Sequence, residues 1–216
     1  MTSKRFSSFS ISFSPRDVLR HQLLSFSHAS DWLKCNPSKS LCLGFSAPEF
    51  RMLLKYRLGM PVSPSGKCFQ CDKRSSDGSF ILGDHALCCI RSGLVRRHYD
   101  IVHEICSILS QSCRVVKTEY AVQNSPQLRA DLVASKSLTS PETAFDVTIV
   151  HALSNAQGTS AMAKREVEKT EKYKAACEKI GLSFSPLAFD SHGGMGLLRL
   201  RLSRRLSLQL HRSTRI

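Results

Sequence analysis

An α/β protein with a mixed sheet and helices on both faces is the fold class that this sequence predicts, from three observations. A helix-period run at 96–111 precedes three strand-like runs. Those runs are separated by turn-forming Asn124-Ser125-Pro126 and Ser140-Pro141. A long charged helical run and one more strand follow, giving the order αβββαβα with a basic helix last. The 216 residues, 42% hydrophobic and 22% charged, suffice for one sizeable core and are too apolar for wholesale disorder.

Lys and Arg number 31 against 17 acidic residues, a formal charge of +14. Such an excess points to a polyanionic partner, with nucleic acid favoured because basic side chains release counterions from phosphates. No apolar run approaches the roughly 20 residues of a membrane helix, so no membrane partner is expected. Nine cysteines, an odd number and mostly not closely paired, suggest a reducing compartment rather than a secreted disulfide framework.

The opening MTSKRFSSFSISFSPR is Ser- and Phe-rich, basic and free of acid. Residues 1–28 are read as a disordered or weakly helical leader, with an organelle transit peptide as the lesser reading. A helical segment fills 29–64. Within it Ser46 and Glu49 form a capping box, Pro48 sits in the first turn, Phe50, Leu53, Leu54 and Leu58 recur at helical spacing, and Gly59 closes the helix.

Residues 60–95 lack periodicity and hold four cysteines among several glycines and prolines, so this segment, whose zinc knuckle is read at 65–95, needs a metal to fold. Cys68 and Cys71 form a C-x2-C pair, and His85 and Cys89 an H-x3-C pair after thirteen intervening residues. Two close pairs of thiolate and imidazole donors suit tetrahedral zinc. Cys88 stands as the alternative to Cys89. Four protein ligands leave no position for a reacting water, so this zinc is structural.

The core is expected over 96–192. Its first helix points Ile101, Val102, Ile105, Ile108 and Leu109 inward. Strands are expected at 114–122, 128–135 and 144–150, a helix at 160–180 closed by Gly181, and a strand at 184–189. Glu119, Asp131 and Asp146 each fall in or beside a strand. In the third strand Phe145, Val147 and Ile149 face one way while Asp146 faces the other. Carboxylates that converge on adjoining strands commonly share a divalent cation, for which magnesium is the natural choice. After a Gly193-Gly194 turn, 193–216 carries Arg199, Arg201, Arg204 and Arg205, with leucines every four residues as in a helix.

The run from about 29 to 194 resembles the C-terminal region of non-LTR retrotransposon polyproteins, in which a zinc knuckle precedes a restriction-like endonuclease of the PD-(D/E)XK superfamily. The matching stretches are PEFRMLLKYRLGMPV, the Cys68/Cys71 pair, Gly-Asp-His-Ala-Leu-Cys-Cys, Val-Arg-Arg-His-Tyr, Glu119, Leu-Arg-Ala-Asp131-Leu, Phe-Asp146-Val-Thr, the patch holding Lys169, Lys172 and Tyr173, and Ser-His-Gly-Gly. Two departures stand out: the family's proline before the first aspartate is absent at Leu128-Arg129-Ala130-Asp131, and Thr148 occupies the superfamily's lysine position. In the retrotransposon branch that lysine has moved to the following helix.

The resemblance implies an αβββαβ core and Mg2+- or Mn2+-dependent cleavage of double-stranded DNA. It assigns catalytic roles to Glu119, Asp131 and Asp146 together with Lys169, Lys172 and Tyr173, Lys172 being the first choice of lysine. Arg96, Arg97, His98, Arg129 and the tail arginines Arg199, Arg201, Arg204 and Arg205 are nucleic-acid-binding candidates. Element RNA is a second candidate partner, a polymerase domain is absent from the chain, and a nuclear location is expected, with a cytoplasmic one as the alternative. The competing reading is an inactive remnant that still binds nucleic acid through the knuckle and basic surface. A purely structural or protein-interaction domain ranks third, because of the charge.

Overall fold

The computed structural model describes residues 14–26, 29–30, 33, 45–74, 80–124, 127–151, 153 and 161–196. The basic tail, including Arg199, Arg201, Arg204 and Arg205, lies outside the described residues. So does the helix expected there.

Helix α1 (Pro15–Leu24) lies inside the segment expected to be a leader. Ser14 and Asp17 cap it reciprocally, Pro15 opens it, and Leu23 is fully buried beside Val150, Leu153, Ala161, Met162 and Ala188. This stretch is therefore part of the core. Helix α2 (Ala47–Arg57) begins with the expected capping box, the Glu49 carboxylate accepting from Ser46. Its expected apolar face is not buried: Phe50 and Leu58 are exposed, and no α2 residue falls in the buried class. The helix is held through its last turn instead. Arg57 donates to the Ala29 carbonyl and the Ser30 hydroxyl, and the Tyr56 ring stacks on His192.

Helix α3 (Leu94–Ser110) starts from Gly93, whose φ of 76° suits a residue without a Cβ. Its buried residues Val102, Ile105 and Leu109 form one stripe, while Ile108 is exposed, so the inward face is narrower than the sequence suggested. Strands β1 (Val115–Ala121), β2 (Arg129–Ser135) and β3 (Thr143–Val150) form an antiparallel meander. Helix α4 (Ala161–Glu178) then crosses over to β4 (Ser183–Asp190), which lies parallel to β3. The result is one mixed four-stranded sheet in the order β1-β2-β3-β4. Every expected strand and core helix is present, with ends shifted by at most two residues.

Helices cover both sheet faces, so β2, β3 and β4 are buried along most of their length, while the middle of the edge strand β1 is exposed. On one face Val102, Ile105 and Leu109 of α3 pack against Leu132, Ala134, Phe145, Val147, Leu187 and Phe189. On the other, Tyr173 and Cys177 of α4 pack against Val133, Ala144 and Leu182. The Gly193-Gly194 turn brings Met195 back beside Phe189 as an isolated bridge. Among the described residues no helix is long and apolar enough to cross a membrane.

Candidate metal centre and carboxylate site

The cysteine-rich segment contains little regular structure. A tight turn bridges Lys67 to Arg74, with Cys68 N–H donating to the Lys73 carbonyl. A single 3-10 turn, His85–Leu87, then separates His85 from Cys89, whose N–H donates to the His85 carbonyl at 2.8 Å. Folding those two turns together brings the Sγ atoms of Cys68 and Cys89 to 3.9 Å and Cys71 Sγ to 3.2 Å from His85 Nε2.

One ligand atom from each of Cys68, Cys71, His85 and Cys89 lies within 4.8 Å of every other. The two separations of 3.9 and 3.2 Å lie near the edge of a tetrahedron with metal bonds of roughly 2.0–2.3 Å, so the cluster could hold a metal ion such as zinc. The choice between the adjacent thiols falls to Cys89, which is buried. Cys88 is exposed, and its Sγ lies against the Asp84 and His85 carbonyls instead. Phe80 stacks on the His85 ring at 4.1 Å and fixes its plane.

The carboxylate site sits where the sheet opens. The β2–β3 ladder runs from Ala134–Thr143 to Leu132–Phe145 and stops there. One step further along that register, Asp131 would face Asp146. In place of another backbone pair, the Asp131 carboxylate itself accepts from Val147 N–H at 2.6 Å. The same oxygen lies 3.3 Å from His98 Nε2, which also contacts the Val147 carbonyl at 3.2 Å. The Asp131 carboxylate raises the His98 pKa against an opposing effect of burial.

Asp146 points to the opposite face from Phe145 and Val147, as the alternation required. Its side chain is 4% exposed and lies 2.7 Å from Lys169 Nζ. Burial raises its pKa, the Lys169 ammonium pulls it back down, and the negative Asp131 raises it again. Tyr173 donates to the Arg129 carbonyl at 3.0 Å, and its own pKa is raised by burial and by the charge on Asp146.

Two site candidates are placed differently from the expectation. Among the described residues Lys172 pairs with no acid; its ammonium lies over the Tyr173 ring, 4.8 Å from the centroid. Glu119 lies opposite Asp131 in the β1–β2 register but has a left-handed backbone, φ 51°, and the ladder skips it. Its carboxylate is half-exposed and pairs with Arg129 at 3.5 Å. Among the described residues the cysteine-histidine cluster is the sole group of three or more donors spaced to share a metal.

Of the basic candidates beside the knuckle, Arg96 is largely exposed. Arg97 turns inward to donate to the Leu87 carbonyl at 3.1 Å, tying α3 to the knuckle. Sequence reasoning missed a buried polar group around Asp84, which pairs with Arg16 and lies 3.4 Å from His151 Nε2. No spacing signal could have found it, because its members come from α1, the knuckle and the ends of β3 and β4.

No protein-family model matches the chain, and no curated protein matches it.

Proposed function

We propose that the chain is a metal-dependent DNA endonuclease domain of the restriction-like type, which hydrolyses a phosphodiester. The observation that carries this reading is the meeting of Asp131, Asp146 and Lys169 where β2 and β3 part. A buried acid next to a second acid, with one lysine against it, is an arrangement that costs a folded core stability and that a bound cation would relieve. Hard carboxylate oxygens suit Mg2+ or Mn2+. When bound, such an ion would polarise a phosphodiester oxygen and acidify an attacking water.

The chain's own residues divide the remaining tasks. Asp146 and the Asp131 carboxylate would hold the ion. Lys169 neutralises Asp146 in the resting site and is placed to stabilise charge on the phosphate as it reacts. Tyr173 fixes the helix that carries Lys169 to the backbone of β2. The formal charge of +14 supports a phosphate backbone as the partner. Zinc in the Cys68/Cys71/His85/Cys89 cluster has a structural role.

The test is nicking of supercoiled plasmid with and without chelator. Wild-type chain should nick in Mg2+ or Mn2+, and Asp146→Ala should reduce the rate at least about a hundredfold while filter-retained DNA binding is unchanged. No metal-dependent nicking by the wild-type chain, with DNA binding intact, would support the second reading, an inactive nucleic-acid-binding remnant. The ion pair that turns the Glu119 carboxylate to Arg129 favours that alternative.

A further inference from the structure

The knuckle and the carboxylate site are more than 40 residues apart in sequence, yet one buried side chain lies between them. Asp84 immediately precedes the ligand His85 and heads the turn that carries both His85 and Cys89. Its carbonyl accepts from Leu87 N–H at 3.1 Å. Its carboxylate points away from the metal cluster into the core and is 2% exposed. There it meets Arg16 of α1 and, through Oδ1, His151 Nε2 at 3.4 Å. His151 continues from the end of β3, and its Nδ1 lies 2.7 Å from the hydroxyl of Ser191, which follows β4.

What makes this contact consequential is how weakly the second half of β3 is held on its other side. Beyond Phe145 the strand has no ladder to β2, and Asp146 lies in this unladdered half. Its position there depends on the parallel pairing to β4, on the Asp131 and His98 contacts at Val147, and on the anchoring of its end at His151. A rigid turn carrying Asp84 therefore fixes the end of the strand that presents Asp146.

We propose that Asp84 is a positioning residue: through His151 and Ser191 it couples the metal-bound knuckle to the strand carrying Asp146, so that the ion held by the cysteines orders the carboxylate site. The knuckle is in this sense a part of the nuclease rather than an appended clip. The functional importance of the coupling rests on the nuclease reading above, but the coupling itself can be measured without DNA. Linkage makes it reciprocal: if the metal orders β3, the β3 end must help retain the metal.

The experiment uses the full chain loaded with zinc and follows release of the ion to a chromogenic chelator. Asp84→Asn and His151→Gln should each release zinc at least about fivefold faster than wild type, although His151 belongs to no part of the knuckle. The double variant should be no faster than the faster single one, because both break the same link. His103→Gln, at an exposed position of α3, should match wild type. In parallel, removal of zinc from the wild-type chain should speed amide exchange over 145–150. A wild-type release rate in His151→Gln, or unchanged exchange over 145–150 on zinc removal, overturns the proposal, as does a chain that takes up no zinc. Should His151→Gln unfold outright, Ser191→Ala, which removes a single hydroxyl, takes its place, and release at the wild-type rate there overturns the proposal equally. Failure of the nicking assay with accelerated zinc release would defeat the nuclease reading and leave the coupling standing.

Discussion

Lys169 and Lys172 stand three residues apart on α4, and helical geometry separates their roles. Tyr173 and Cys177 face the sheet, and Lys169, four residues before Tyr173, shares that face. Lys172 is rotated about 100° from Tyr173 and its ammonium rides over that ring. Replacement of Lys169 by Ala should therefore lower the nicking rate about a hundredfold or more, and replacement of Lys172 no more than about fivefold, in a single-turnover assay. Equal losses would remove the ion pair to Asp146 from the account. The sequence already contained the information to prefer Lys169, since Tyr173 is the large aromatic of the buried stripe. What hid it was the number of lysines on this helix, which together look like a solvated face. The contact made by His98, which the sequence offered only as a nucleic-acid-binding candidate, was hidden for a different reason: its partner Asp131 is 33 residues away, and only the tertiary packing of α3 brings them together.

At the scale of elements, alternation and helical period made the whole core legible, and β2, β3 and α4 fall within a residue or two of where their apolar patterns place them. Capping chemistry located α2 equally well, through Ser46 and Glu49. The period failed where burial did, in the exposed Phe50 and Leu58 of α2, because a helical repeat of apolar residues says which side is greasy and not whether anything covers it. The opposite holds for α1: the sequence allowed at most a weak helix in a leader, whereas the helix is capped and its Leu23 fully buried. Turn chemistry after β4 is sharper. Asp190 folds its carboxylate back to accept from the N–H groups of His192 and Gly194, and a Cβ added at Gly194 would lie 2.3 Å from Asp190 Oδ2. Gly194→Ala should consequently destabilise the fold by roughly 2 kcal/mol, seen as a lower urea midpoint with an unchanged slope. A neutral substitution would mean that the turn opens at no cost.

Among the described residues most basic side chains are exposed while several charged and histidine side chains are buried, and that contrast governs the response to acid. His192 is buried beside His151 and Tyr56, and burial followed by the positive potential of its neighbours lowers its pKa from 6.5 to about 4. The folded state thus holds this histidine neutral while the unfolded chain protonates it near pH 6.5. Its contribution favours folding above that pH and is lost progressively as the pH falls towards 4. Between pH 7 and pH 5 the loss comes to roughly 2 kcal/mol. The stability advantage of wild type over His192→Gln, measured by chemical denaturation, should shrink by about that amount over the same interval. An advantage independent of pH would show that the ring is not held neutral. The metal cluster was the most legible functional feature at this scale, because its ligands come as two local pairs. The Asp84 group was the least, because every link in it joins distant parts of the chain.

The Val147 amide that seals onto Asp131 makes the two aspartates unequal in what their loss would do to the fold. Asp131 fastens two strands where the ladder has ended, whereas Asp146 is a buried acid whose ionisation the surroundings resist. Under the proposed nuclease reading, a variant that gave up cleavage could discard the charge at 146 and gain thermal robustness, yet it would need asparagine or another acceptor at 131 to keep the sheet joined. On that reading the hydrogen bonds set an order in which the two aspartates can be lost: Asp146 before Asp131.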